Sequence, residues 1–234
     1  MKKQFIPVLV AGVFYIYVSV AQACSNPYFT IAITEPLFSK GILVNEGIWE
    51  FPGSDSLCIY TAVWTAETID LGAKFKLYVA TYHKYDQKMI ADTTINSTVE
   101  KIWSEPTAHL DQTVFQLKEG VKAFGLTTFS TFLGGTFGED NQQFDLIVDD
   151  GKGKLRSVLT TQTTHRYQRN CGDNCEEENA YENDFYVVSK NKTRGFFDVI
   201  RGGSVVQADS VPEPKVPTQG VLYRWNGHGY VQKK

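Results

Sequence analysis

The stretch Gln143-Phe144-Asp145-Leu146-Ile147-Val148-Asp149-Asp150-Gly151-Lys152-Gly153-Lys154 narrows what this chain can fold into more than any other. Phe144, Leu146 and Val148 alternate with Asp145, Ile147 and Asp149. A strand gathers such a period-two pattern on one face, whereas a helix scatters it. The Asp-Asp-Gly-Lys-Gly cluster then reverses the chain, and Leu155–Thr160 resumes the strand pattern. The segment therefore predicts a hairpin of half-buried strands with its Phe/Leu/Val face turned inward.

The same grammar recurs along the chain. Lys74–Val79 alternates strictly, and Leu57–Trp64 is β-branched and aromatic enough to be a buried strand. Phe185–Val188 and Phe196–Ile200 flank the turn-rich Lys190–Gly195, and Asn226-Gly227-His228-Gly229 separates Val221–Trp225 from Tyr230-Val231. Helix is expected only over Thr98–Trp103. The fold expected is all-β, a sandwich, barrel or partial-propeller-like arrangement of short antiparallel strands. Joints fall at Glu105–His109 and at Val211–Pro217, where three prolines exclude a central strand. The expected division is an N-terminal β region at 24–105 and a C-terminal β region at 106–234, in one domain or two. Phe-Asp followed by an apolar run occurs at 144–148 and again at 197–200, a short echo below the level of a repeat.

The compartment follows from the first residues. Lys2 and Lys3 precede an uncharged run from Phe5 to Val20, which ends in Ala21-Gln22-Ala23. Cationic start, apolar stretch and A-x-A site describe a secretory signal peptide over 1–23. The run is too short, and too interrupted by Pro7 and Gly12, to span a bilayer. A periplasmic or secreted protein is expected, with no membrane span in the mature chain. Cys24 would then be the first mature residue, which raises a lipid anchor there as a rival fate. Loss of Lys2 and Lys3 takes the formal net charge from −3 to −5. That balance, without a Lys/Arg run, argues against nucleic acid as a partner.

In an oxidising compartment the four cysteines form an even set. Three connectivities are open, of which the local one pairs Cys24 with Cys58 and Cys171 with Cys175. Gly172-Asp173-Asn174 are turn formers, so Cys171 and Cys175 read as a staple across an acidic loop. Redox chemistry favours C-x-x-C, one residue shorter, and zinc needs ligands beyond these two and His165. Asp173, Glu176, Glu177, Glu178, Glu182 and Asp184 are oxygen donors of the kind calcium takes, but the D-x-D-x-D-G loop is missing. A solvated acidic loop is the expectation, with no metal and no other cofactor.

Phe115–Leu126, Gly195–Ile200 and the ending Tyr223-Arg224-Trp225-Asn226-Gly227 resemble exported proteobacterial β-rich proteins of unassigned function, over roughly residues 110–232. Phe197-Asp198-Val199-Ile200 also resembles strands of FG-GAP-type propeller blades, without the Asp-rich calcium loop of those blades. The resemblance implies an exported β-rich domain and brings no catalytic residues.

No G-x-S-x-G or H-E-x-x-H is present, and His83, His109, His165 and His228 stand singly. The segment 165–186 mixes acids with aromatic residues, a composition that suits an interface. His165, Tyr167, Glu176, Glu177, Glu178 and Tyr181 are the candidate binding residues. The expected function is a non-catalytic envelope module that binds a protein or a cell-wall component, of inhibitor or immunity type. A secreted hydrolase with an unrecognised active site is the alternative.

Overall fold

The computed structural model describes residues 24, 41–65, 72–100, 104–133, 137–168, 181–206 and 220–233. Expectations for the leader 1–23, the Cys171–Cys175 pair, Glu176–Glu178 and Val211–Pro217 lie outside these residues. The described chain is all-β, with three successive four-stranded antiparallel sheets, each a simple meander. The first sheet holds β1 (Ile42–Glu50), β2 (Leu57–Thr65), β3 (Lys74–His83) and β4 (Met89–Glu100). The second holds β5 (Thr107–Lys118), β6 (Val121–Leu133), β7 (Phe137–Asp149) and β8 (Leu155–Gln168). The third holds β9 (Tyr181–Thr193), β10 (Phe196–Val206), β11 (Val221–Trp225) and β12 (Tyr230–Gln232).

The hairpin read at 144–160 is present, with β7 and β8 paired antiparallel from Asp149↔Leu155 outward. Asp150 is held below the usual carboxylate range chiefly because the Lys152 N–H donates to it, which tightens that turn. The stretch Lys190–Gly195 departs from expectation. The ladder continues to Thr193↔Phe196, leaving Arg194 and Gly195 as a two-residue turn with φ of 52° and 82°. Two left-handed residues give the turn a twist that matches the strands, so pairing persists where composition suggested a loop. The helix expected from Thr98 is also corrected, because Thr98–Glu100 complete β4, whose partner residues lie on β3. Pairing outweighs a weak helical preference there.

The sheets stack in the manner of successive blades. Ile59, Phe75, Leu77 and Val79 of the first sheet pack against Leu110, Phe124, Leu126 and Ile147 of the second. Phe51 meets Phe124 edge to face at 5.3 Å. On its other face the second sheet offers Phe115, Leu117, Phe144, Leu146 and Leu159 to Tyr186, Val199, Tyr223 and Trp225 of the third. Of the joint expected at Glu105–His109, Thr107–His109 already belong to β5 and pair with β6, and the sheets on either side share a core.

The far face of the first sheet is packed by size alternation. Tyr60, Tyr78 and Tyr82 pair with Ala80, Ala62 and Cys58 across β2 and β3, so each ring lies beside a small side chain. Burial pushes the Tyr82 phenol up to about 12, and the Tyr60 hydroxyl donates to Glu46 Oε2 at 3.2 Å. Cys24 closes onto this face through its disulfide to Cys58, with Cα atoms 5.9 Å apart. A disulfide and a lipid thioether use the same sulfur, so the bridged chain cannot carry the lipid at Cys24. Closing a loop of 34 residues removes about 4 kcal/mol of unfolded-state entropy. Cys58→Ala is expected to lower unfolding free energy by that order in urea titration, and reductant should destabilise the parent chain more than the variant.

Candidate functional site

The second sheet changes character along its length. Toward the turns at Gly120 and Gly151 its face against the third sheet is apolar, with Leu117, Val148 and Val158. Toward the opposite end, the same face carries Asp111, Thr127, Gln142 and Thr163 on four adjacent strands. Tyr186 of β9 closes the row from the third sheet. Together with Phe144 these residues line a cavity of about 40 Å³, room for water and not for a small-molecule substrate.

Two aromatic residues form the floor. Phe144 and Tyr186 stack with centroids 3.7 Å apart and planes 8° off parallel. Gly125 makes this possible, because a Cβ there would meet the Phe144 ring at 2.6 Å. Thr161 Oγ1 and the Tyr186 hydroxyl share a hydrogen bond, so the phenol is anchored as well as stacked. The floor is therefore rigid, and the polar groups around it are fixed on strands.

Behind this floor, facing the first sheet, lies a buried polar chain. The Thr98 N–H and hydroxyl donate to Gln143 Oε1 at 2.7 and 2.6 Å. The Gln143 amide in turn donates to Asp145 Oδ2 at 2.7 Å. Ser157 and Thr160 hydroxyls donate to Asp145 Oδ1 at 2.9 and 2.6 Å. Gln143 and Asp145 are both 0 % exposed, so β7 is buried on its two faces, where alternation alone suggested one. Burial raises the Asp145 carboxyl above the usual range, and the three side-chain donors oppose that rise without cancelling it. This chain ties β4 to β7 and β8 and belongs to the scaffold.

Of the residues singled out from sequence, His165, Tyr167 and Tyr181 lie on described strands, and Glu176, Glu177 and Glu178 lie outside the described residues. His165 and Tyr167 lie on β8, two and four positions beyond Thr163, with Asp140 and Gly138 as partners. Tyr181 and Glu182 open β9 opposite Val206 and Val205. β8 is an edge strand of the second sheet and β9 of the third, so the acidic segment 169–180 connects two edge strands in the sequence. The other histidines are dispersed: His83 ends β3, His109 on β5 rests against Phe129 at 4.9 Å, and His228 is in the last turn. Among the described residues no three His, Cys, Asp or Glu side chains are placed to hold a metal.

Asp111, Thr127, Gln142 and Thr163 escaped the sequence reading because they come from four strands and form no local motif. The one sequence signal was the run Thr160-Thr161-Gln162-Thr163-Thr164, polar on both faces of a strand. Comparison with family models, curated proteins and solved structures finds no match.

The buried chain gives a pH prediction. The folded-state carboxyl of Asp145 is raised, so folding favours its protonated form. Stability is lost as pH rises from the unfolded value of 3.8 through the folded one. Asp145→Asn puts an amide N–H against the Gln143 amide N–H, a cost of about 2 kcal/mol. Chemical denaturation of both proteins across pH should show that deficit largest near pH ~4 and narrowing as pH rises, since only the parent titrates there.

Proposed function

We propose that this chain is an exported, non-catalytic binding module whose recognition surface is the acidic crossing between β8 and β9. One observation carries the reading: this crossing connects the edge strands of two sheets that share a core, and β8 carries Thr163 of the polar cavity four residues before Tyr167. Binding residues favour loops carried on rigid β scaffolds. The partner chemistry follows from charge. Asp173, Glu176, Glu177, Glu178, Glu182 and Asp184 fall within twelve positions that contain no Lys or Arg. Such a segment complements a basic protein surface or a cationic cell-wall component, and an inhibitor or immunity role fits that complementarity.

Export supports the same reading. The Cys24–Cys58 bridge belongs to an oxidising compartment, as does the proposed Cys171–Cys175 staple. The resemblance to exported proteobacterial proteins belongs with it. Thiol titration of the denatured, unreduced protein recovered from the envelope or medium should find no free thiols, whereas two would remove the staple.

Affinity capture with the parent chain and with Glu176→Lys/Glu177→Lys/Glu178→Lys tests the surface. Any specific partner should be lost from the variant, with binding weakened at least ten-fold and most of the change in the salt-dependent on-rate. Equal capture by both proteins would place recognition elsewhere.

A further inference from the structure

The opposite end of the strands is basic. Lys118 and Lys122 flank the β5–β6 turn, Lys190, Lys192 and Arg194 lead into the β9–β10 turn, and Arg156 opens β8 beside them; all six are exposed. Glu119 is the one acid within the β5–β6 and β9–β10 tips, and the β7–β8 turn at the same end adds exposed Asp149 and Asp150 alongside Lys152 and Lys154. None of the six cations enters an ion pair among the described residues. In a chain of net charge −3, this is a marked local excess.

Four of these cations are also held in place. The Lys118 ammonium lies 5.3 Å above the Phe196 ring and that of Lys192 lies 4.3 Å above Phe197. Phe196 is itself stacked on Trp225 at 4.1 Å, and the Arg156 guanidinium donates to the His228 carbonyl at 2.7 Å. Arg194 donates to the Asn226 carbonyl. A stack of rings beneath an array of fixed cations reduces the entropy lost when a phosphate arrives.

The shape of this end decides the kind of anion. The cations spread over the tips of two sheets, and the polar cavity lies toward the other end of the strands. The first sheet ends at the same level, tied there by the Lys154–Asp92 pair at 3.1 Å. Its β3–β4 tip presents Tyr85, Asp86, Lys88 and Met89, with Tyr85 68 % exposed and Asp86 accepting from the Lys88 N–H. Lysines around a projecting tyrosine match the headgroup zone of a bilayer, where aromatic rings settle and basic residues meet lipid phosphates.

We propose that this hairpin end docks on an anionic phospholipid surface, with Lys118, Lys122, Lys190, Lys192, Arg194 and Arg156 meeting headgroup phosphates and Tyr85 seated among the headgroups. The site is separate from the acidic crossing, and it stands or falls independently of the function proposed above.

Vesicle co-sedimentation of the full chain tests it, using phosphatidylcholine alone and an equimolar mixture with phosphatidylglycerol. The protein should pellet with the mixed vesicles only, and salt should release it. Each neutralised cation lowers partitioning about five-fold, so Lys118→Glu/Lys192→Glu/Arg194→Glu should lose more than about a hundred-fold. Lys74→Glu/Lys76→Glu, at the other end of β3, should bind like the parent. Tyr85→Ser, at an exposed turn, should weaken binding without changing the thermal melt, which keeps the test sound if the triple variant misfolds. Equal binding to both vesicles, no binding to either, or unchanged binding by the triple variant would overturn the proposal. So would tight binding to heparin or single-stranded DNA by a protein that ignores the mixed vesicles.

Discussion

Burial of the second sheet on both faces is the constraint from which the rest of the structure follows. A four-stranded meander with one apolar face needs one cover, but β5–β8 present Phe124, Leu126 and Ile147 on one side and Phe115, Phe144 and Leu146 on the other. Each face is useless without a neighbouring sheet, and each supplies a core that its neighbour could not build alone. The first and third sheets are accordingly placed by the second. Bulges between Asp111 and Phe115 on β5, and at Leu146/Ile147 opposite β8, adjust which side chains reach which core.

A sheet enclosed in this way must settle its polar side chains internally. Asp145 is the severest case, and its geometry shows how the cost is met. Three donors converge on its two oxygens, and the Gln143 amide is turned by Thr98 so that its N–H groups face the carboxylate. The network fixes the approach of β4 to β7 by hydrogen bonds whose directions leave little freedom, where apolar contacts would permit sliding. The Phe144–Tyr186 stack does the equivalent on the opposite face, with Gly125 providing the clearance.

The long strands then separate two kinds of chemistry. At one end, tight turns gather Lys and Arg over aromatic rings. At the other, Asp111, Thr127, Gln142 and Thr163 line a polar cavity near the last residues of β8. The proposals for the two ends concern different partners because the charges differ in sign, and the rigid stack between them keeps those surfaces apart.

Local sequence determined the strands and most turns; it left three cysteine connectivities open, and the structure shows the one that joins Cys24 to Cys58. Period-two alternation, β-branched runs and Gly or Asn corners act between near neighbours, so Leu57–Trp64, Phe144–Thr160 and the closing Asn226–Gly229 hairpin were legible directly. The tertiary structure alone decided that Asp145 and Gln143 are buried. Alternation tells two faces of a strand apart but cannot say that both are covered. It also decided that Asp111, Thr127, Gln142 and Thr163 converge, and that six scattered cations share one end. Those groupings depend on register between strands and on which sheet lies against which, and both are set by the packing of distant side chains.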